Sequence, residues 1–454
     1  MNSKLRMQNT KLGIWTLTAL LFSVAGILGQ SDGSQQNRAG RAGTFAIVGA
    51  RIVTVSGAVI ENGTVVIQNG KITAVGAGAA IPSGAERIDG KGLSVYPGMI
   101  DASTNMGLVE VGQGANATVD VQEVGNYNAN AKAIDGINPH TSHINVTRVD
   151  GVLTVASEPS GGIVSGQAAV INLNGSTQAD MAVVPTAALM INFPRVTGGG
   201  GFGGFGGGGG PQVDFNELIR RRDAAVEDLK KMFRDVERYA RSTEAYAKDK
   251  SVPTPETNQS MEAMIPYVRG QKPIHFTSER ERDIRAVAKF VGEMKVKGVI
   301  VGGQEAWKAA DDLKKNNIAV IYTNIFSLPV QQDDPYDYLY EAPSLMQKAG
   351  VKFAISTGEG GGNVRELPLQ AGIAGGYGLG KEEALKSVTL YPAQILGIDD
   401  KLGSIDVGKM ANLVVTDGDM LDARTKIKHI FIAGRMIPLT SRHTDLFDSF
   451  KDRK

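Results

Sequence analysis

The chain of 454 residues contains no cysteine. This absence excludes a disulfide scaffold, an iron–sulfur centre, a thiolate zinc site and a cysteine nucleophile. An excess of charge of one sign is also absent, because 48 Lys and Arg side chains balance 47 Asp and Glu side chains and leave a formal net charge of +1. A balanced charge provides no electrostatic basis for binding polyanions, so we expect no nucleic-acid partner.

Long apolar runs are scarce, and the one uncharged stretch of note covers residues 12–29. It follows three basic side chains, which are Lys4, Arg6 and Lys11. This order is typical of a secretory signal peptide over residues 1–29, cut after Ala25 or Gly29 and followed by a flexible linker to residue 44. A retained membrane anchor is the alternative, and no later segment is apolar enough to span a bilayer. Export without cysteine favours a bacterial periplasm.

The rest of the chain has short β-type runs at both ends and alternating elements between them. Residues 45–96 and 401–440 are rich in β-branched runs and turns, including the hairpin signal Asn69-Gly70. Over residues 97–400 strands alternate with helices, which predicts a (β/α)8 TIM-like barrel beside a small composite β-sandwich built from both termini. Residues 441–454 form a polar tail. Barrel strands are predicted at 151–157, 168–173, 273–277, 299–301, 318–323 and 351–357, and helices at 280–294, 306–316 and 381–396.

Glycine is abundant, with 57 residues, and eleven of them lie between Gly198 and Gly210. Such a segment cannot pack as a core element. A long amphipathic helix is predicted behind it over residues 214–250. We interpret residues 197–256 as an insertion in the barrel, either lying on its surface or acting as a lid over its mouth.

Several motifs along the chain occur in the order of one known family. They are Asn69–Ile72, the stretch Tyr-Pro-Gly-Met-Ile-Asp at residues 96–101, Pro159–Gly162, Gly302–Trp307, Tyr391–Ala393 with Leu396-Gly397, and Gly403–Val414. Together they resemble the amidohydrolase superfamily, in particular its imidazolonepropionase-like branch, from about residue 45 to about residue 438. The resemblance implies a (β/α)8 barrel, a composite β-sandwich and metal-assisted hydrolysis of C–N bonds in small non-peptide substrates.

The metal-ligand positions that this resemblance implies are mostly substituted. In the family, histidines at the barrel mouth and an aspartate on the last strand hold a divalent ion that activates water. The corresponding residues here are Ser103 and Asn105 for the His-x-His motif, His275 for one retained histidine, Thr277 for its usual companion, Gly302 for a further histidine and Gly358 for the aspartate. We therefore expect no family-type metal site and no cofactor, with zinc considered only if these motifs are misplaced.

The candidate site residues follow from these positions and from neighbouring polar side chains. The catalytic candidates are His275 and Glu359, and the substrate-binding candidates are Ser103, Asn105, Thr277 and Arg365. The two catalytic candidates also have simpler interpretations. His275 could be a structural histidine with its hydrogen bonds formed inside the protein, and Glu359 a solvated loop carboxylate. His140 and His143, three residues apart, are expected at a solvated helix start.

Two functions from different classes remain open at this point. The first is an exported hydrolase acting on C–N, non-peptide bonds of a small substrate such as a cyclic amide, without the usual metal mechanism. The second is a catalytically inactive pseudoenzyme that binds a small ligand or partners an active homologous barrel. The expected partners are therefore a small molecule and, as alternatives, a second copy of the chain or a homologous barrel.

Overall fold

The structure is a computed structural model that describes residues 39–112, 116–196, 214–329 and 333–453. The glycine-rich run and the signal-peptide segment predicted from the sequence lie outside the described residues. The strands are β1 (Phe45–Ile52), β2 (Ile60–Gln68), β3 (Lys71–Gly76), β4 (Glu86–Asp89), β5 (Ser94–Pro97), β6 (Met99–Thr104), β7 (Val152–Ser157), β8 (Val164–Asn172), β9 (Ala182–Asn192), β10 (Pro273–Ser278), β11 (Lys297–Gly302), β12 (Ala319–Tyr322), β13 (Phe353–Ile355), β14 (Leu413–Thr416), β15 (Ile427–Ile432) and β16 (Arg435–Ile437).

The α-helices of the described segments mostly follow the strands of the second half of the chain. They are α1 (Ala133–Gly136), α2 (Ser142–Arg148), α3 (Gln178–Met181), α4 (Phe215–Lys248), α5 (Gln259–Val268), α6 (Glu281–Met294), α7 (Ala310–Lys315), α8 (Tyr338–Lys348), α9 (Leu367–Ala374), α10 (Lys381–Ser387), α11 (Leu390–Ile395) and α12 (Arg442–Phe450). In the part of the chain that the structure describes, no helix is both long and apolar enough to cross a membrane.

Both ends of the chain meet in one composite β-rich unit, as the sequence predicts, and its strands form one sheet where the sequence predicts a β-sandwich. Its order is β16-β15-β14-β5-β1-β2-β3, so β14 from the C-terminal part pairs antiparallel with β5 from the N-terminal part. The expected hairpin turn joins β2 to β3, where Asn69 and Gly70 both have positive φ. The strands belong to a single branched sheet, because β1 pairs with β4 along its first half and with β5 near its end.

The second sheet forms the barrel, which confirms the predicted fold class. Its order β13-β12-β11-β10-β9-β8-β7-β6 follows the chain, and every neighbouring pair is parallel except those made by β8. The expectation of an all-parallel sheet is wrong for this strand. The reason is the connection, since only six residues separate β7 from β8, too few for the crossover that a parallel pair needs.

The first and last barrel strands meet through a polar seam. The Gly358 N–H donates to the Ser103 carbonyl at 3.1 Å. The buried Asp101 carboxylate accepts hydrogen bonds from the hydroxyls of Ser356 and Thr357, which follow β13. Burial raises the pKa of Asp101 to about 6, although these hydrogen bonds act in the opposite direction. The seam brings the carboxyl ends of β6 and β13 together.

The predicted long helix is α4, which begins after Asp214, whose side chain accepts from the Asn216 N–H at 3.1 Å. Its buried face packs against the outer layer of the barrel. Phe233 of α4 lies edge-on to Phe290 of α6, with ring centroids 5.2 Å apart, and Phe290 lies edge-on to Phe276 of β10 at 5.7 Å. This helical part of the insertion therefore lies on the barrel surface.

Two smaller differences from the sequence expectation concern the last helices. The helix expected over residues 381–396 is divided into α10 and α11 at Thr389, whose hydroxyl donates to the Leu385 carbonyl at 2.6 Å. Pro392 carries no N–H and cannot continue the helical ladder from α10. The polar tail contains the helix α12, which begins with a capping box formed by Ser441 and Thr444.

Candidate functional site

A cleft of about 320 Å³ opens at the end of the barrel where the parallel strands have their carboxyl ends. This is the end of a (β/α)8 barrel where active sites are found. The antiparallel β8 contributes Ser165 from its amino end instead. The polar and charged residues that line the cleft are Ser103, Thr104, Asn105, Glu158, Ser160, Ser165, Asn192, Thr277, Glu279, Thr323 and Glu359.

Ser103, Glu158 and His275 form a hydrogen-bonded chain across the barrel. The Ser103 hydroxyl donates to Glu158 Oε2 at 2.6 Å, and His275 Nδ1 lies 3.0 Å from Glu158 Oε1. A carboxylate is an acceptor, so the Nδ1 atom carries the proton. His275 precedes the cleft-lining Thr277 by two residues on β10, and side chains two apart on a strand share one face. The imidazole therefore lies in the barrel interior beneath the cleft, and it is fully buried.

Glu279 provides a second carboxylate, at the end of β10. Its Oε2 atom accepts from the Gln304 N–H at 3.1 Å and from Asn324 Nδ2 at 2.9 Å. Burial raises the pKa of Glu279, while these two hydrogen bonds and the positive charges of Arg195 and Arg280 act in the opposite direction. The neutral form of this carboxyl is therefore populated at a higher pH than for an exposed glutamate.

The structure brings four of the six predicted site residues into this cleft. Ser103, Asn105, Thr277 and Glu359 line it, and Glu359 is exposed at its rim. His275 lies directly beneath, so five predicted residues share one region.

Arg365 is not among the lining residues of this cleft. Its Nη1 atom is 3.3 Å from His443 Nδ1 of α12, so the expected contact between Arg365 and a cleft-bound ligand is not provided by this geometry. His143 lies in the first turn of α2 as expected, but its Nδ1 atom is buried against Gly361 and is not solvated.

Sequence reasoning missed Glu158 and Glu279 as site residues. Glu158 follows directly on the predicted strand at residues 151–157, and Glu279 lies two residues after the predicted strand at residues 273–277. A carboxylate immediately after a buried strand of a β/α barrel is expected at the mouth. That positional signal was available in the sequence, whereas the bond between Glu158 and His275 joins residues 117 positions apart and has no local signature.

The divalent metal that the resemblance implies does not fit the residues present. A Cβ atom at Gly302 would lie 2.3 Å from Glu279 Oε1, and one at Gly358 would lie 2.6 Å from Thr323 Cβ. The space for a ligand side chain at both positions is therefore taken by neighbours. Among the described residues, no group of three or more His, Asp or Glu side chains has a metal-binding arrangement. The His275 imidazole is hydrogen-bonded to Glu158. The neutral side chains of Ser103 and Asn105 stand where the family has its first two histidine ligands.

Comparisons with known proteins agree with the architecture. The family model for the amidohydrolase family matches residues 263–437. The crystal structure of an amidohydrolase from Thermotoga maritima is 25% identical, with a TM-score of 0.75 over 88% of this chain and 100% of that chain. A prolidase complexed with N-methylphosphonate-L-proline is 18% identical, with a TM-score of 0.51 over 87% of this chain and 99% of that chain, and shows the fold alone.

One curated relative matches over a short stretch. N-acetylglucosamine-6-phosphate deacetylase from Haemophilus influenzae is 58% identical over 33 residues, which are 7% of this chain and 9% of that protein. The match therefore covers less than a tenth of the relative's length and transfers no substrate. The amidohydrolase family match over residues 263–437 and the structural similarity across 88% of the chain agree with the resemblance of the ordered motifs to the amidohydrolase superfamily.

Proposed function

We propose that this chain is a hydrolase that cleaves a C–N, non-peptide bond of a small polar amide in the mouth cleft, with Glu158 as the proton acceptor and Glu279 as the proton donor. The observation that supports this proposal most is the placement of two glutamates from different loops on one cleft in unlike environments. Glu158 accepts hydrogen bonds from Ser103 and His275, whereas burial raises the pKa of Glu279. Carboxyl groups with unlike environments suit opposite acid and base roles.

The reaction balances without a further reactant. Water attacks the amide carbon and forms the new C–O bond while Glu158 accepts one of its protons. Glu279 donates its proton to the leaving nitrogen as the C–N bond breaks. The products are a carboxylic acid and an amine, and the proton on Glu158 passes through solvent to restore Glu279. No step uses a metal ion, because the donor set of the cleft does not fit one.

Ser103 and His275 act as positioning residues in this scheme. Each donates to a different oxygen of Glu158, at 2.6 and 3.0 Å, and together they fix the rotation of the carboxylate. An ionised carboxylate offers about four lone-pair directions, so two remain for the attacking water.

The experiment is a turnover assay on a panel of cyclic amides with charge-neutralising variants. We expect Glu158→Gln and Glu279→Gln each to lower kcat by roughly 10²–10⁴-fold, the usual contribution of a general acid or base. The matched control is Glu61→Gln, an exposed glutamate paired with Arg51 on the composite sheet. Turnover is also expected to fall as the pH rises through the raised pKa of Glu279. This decrease should be absent from the pH profile of the Glu279→Gln variant.

Two results would overturn the assignment. Full activity in Glu158→Gln together with a large loss in Glu359→Gln would make the rim carboxylate the base. Loss of turnover on chelation, restored by a divalent ion, would return the reaction to the family's metal mechanism.

A second candidate function is binding without turnover, alone or beside an active homologous barrel. It is favoured by the filled spaces at Gly302 and Gly358, where the family carries metal ligands. Calorimetry on the same panel separates the two functions, because the pseudoenzyme predicts saturable binding of an amide with no product detectable by mass spectrometry.

We also propose that the chain is exported and loses residues 1–29 or a slightly shorter segment. The support is the order of basic, uncharged and polar residues at the start of the sequence. The mass of the mature protein from a bacterial periplasmic fraction tests this. A full-length mass in the membrane fraction would favour the retained anchor.

A further inference from the structure

The ionisable side chains that line the mouth cleft are all carboxyl groups. They are Glu158, Glu279 and Glu359, and its described lining includes no Lys, Arg or His. The neighbouring cations lie outside it: Arg195 and Arg280 line an adjoining cavity of about 310 Å³, where Arg280 Nη1 is 3.8 Å from Glu305 Oε1. The positive charges of these arginines act on Glu279, which lines both cavities.

Three side-chain donors of the cleft are directed at the protein itself. The Ser103 hydroxyl donates to Glu158, and the Thr104 hydroxyl donates to the Glu359 carbonyl at 2.8 Å. The Asn192 amide nitrogen donates to the Gly162 carbonyl at 2.9 Å and lies 3.2 Å from Ser165 Oγ. These groups have little left to offer a ligand that needs donors.

Two side-chain atoms of the described residues, at the cleft and beneath it, are buried without a hydrogen-bond partner. Asn105 Oδ1 is shielded from solvent and has no hydrogen-bond partner, and the same holds for His275 Nε2. The His275 ring is fully buried and lies on the same strand face as the cleft-lining Thr277. A buried acceptor without a donor costs free energy, which a donor-rich ligand recovers.

We propose that the cleft recognises a substrate through a cationic, hydrogen-donating group such as an ammonium, amidinium or guanidinium. This inference rests on the proposed function for the location of the site and adds the substrate class. An ammonium donates three hydrogen bonds and accepts none, which complements the carboxylates of the cleft and the unpartnered amide oxygen of Asn105. By the same chemistry the cleft disfavours phosphate-bearing or carboxylate-bearing substrates.

The test is binding, measured by calorimetry on the full chain at an ionic strength of about 150 mM, where salt partly screens the attraction between exposed charges. Three amides of similar length differ only in their far end: 5-aminopentanamide ends in ammonium, hexanamide in methyl and glutaramate in carboxylate. We expect 5-aminopentanamide to bind at least about 10-fold more tightly than hexanamide, and glutaramate not to bind. Butylguanidinium serves as a second cation on an unrelated scaffold.

Variants locate the interaction. Glu359→Gln, at the rim of the cleft, is expected to weaken binding of the cationic amide by about 3-fold or more while leaving hexanamide unchanged. The control Glu61→Gln removes the same charge from the composite sheet and should change neither affinity. A melting curve of each variant verifies that it is folded.

The outcomes separate this inference from the proposed function. Selective binding of the cation without hydrolysis of any amide supports the inference and refutes the hydrolase. Hydrolysis with equal affinity for hexanamide and 5-aminopentanamide supports the hydrolase and refutes the inference. Tighter binding of glutaramate, or no binding of either cation, also overturns the inference.

Discussion

The hydrogen bond between His275 and Glu158 should stabilise the barrel far more than a shorter bond on the surface. Both side chains are buried, at 0% and 8% exposure, with Nδ1 and Oε1 3.0 Å apart. A hydrogen bond to a charged group inside a protein contributes about 1.5–3 kcal/mol, and breaking it leaves a buried polar atom unpaired. We therefore expect a coupling free energy of about 2 kcal/mol between the two positions.

A double-mutant cycle measures this coupling. The variants His275→Leu, Glu158→Met and their combination remove the bond while keeping most of the side-chain volume, and the free energy of unfolding is obtained from urea titration. The sum of the two single losses should exceed the loss in the double variant by the coupling free energy. A sum within about 0.5 kcal/mol of the double variant, the usual limit of additivity, would refute the reasoning.

The surface pair Arg41 and Glu86 provides the matched comparison. Its atoms lie 2.7 Å apart, closer than those of the buried pair, but the side chains are 56% and 48% exposed. Water and salt screen such a pair, and its partners lose side-chain entropy when they associate. The same cycle on Arg41→Gln and Glu86→Gln should give a clearly smaller coupling, which would show that burial decides the outcome.

Three further predictions follow from individual groups. Gly302 has φ +104°, and the methyl group of a Gly302→Ala variant would contact the Glu279 carboxylate. We expect this variant to lose about 1–3 kcal/mol of stability and to bind ligand more weakly in calorimetry. An unchanged melting curve and an unchanged affinity would contradict this expectation. Because burial raises the pKa of Asp101 to about 6, the folded state holds this proton over a pH range where the unfolded chain has released it, and the unfolding free energy should fall as the pH rises from about 4 to about 6. The Asp101→Asn variant should show a flatter stability profile there in urea titrations, and a slope equal to that of the wild type would be inconsistent with the assignment. Elemental analysis after exposure to zinc, manganese and cobalt should find less than one equivalent retained, whereas a stoichiometric metal lost in His275→Ala would show that the ligand positions were misplaced.

Much of the fold could be predicted because its signals are local. The short strands around Asn69-Gly70 and the alternation of strands and helices after residue 273 are visible in residue periodicity and turn chemistry. The direction of β8 is not, since all nine of its residues are buried and a strand buried on both faces shows no alternation. The direction of β8 is decided by the six-residue connection to β7, which is too short for a parallel crossover and is not visible in the residue pattern of β8 itself.

The candidate site could be predicted only in part. Ser103, Asn105 and Thr277 were found because they occupy positions where the family carries metal ligands. Glu158 and Glu279 were missed because they occupy none of those positions, and their roles depend on contacts across the barrel. Substituted ligand positions indicate where a site lies, but the side chains that replace the lost chemistry are recognised from their three-dimensional neighbours.

The reversal of β8 has a consequence for how the barrel assembles. The strands β7, β8 and β9 are joined as consecutive antiparallel neighbours between residues 152 and 192, so their pairing closes short loops and costs little chain entropy. The seam between β6 and β13 instead joins Asp101 and Ser356 across 255 positions. Local pairings form sooner than distant ones. The antiparallel segment is therefore expected to fold early and to serve as the template on which the parallel strands are added, with closure of the mouth as the last event.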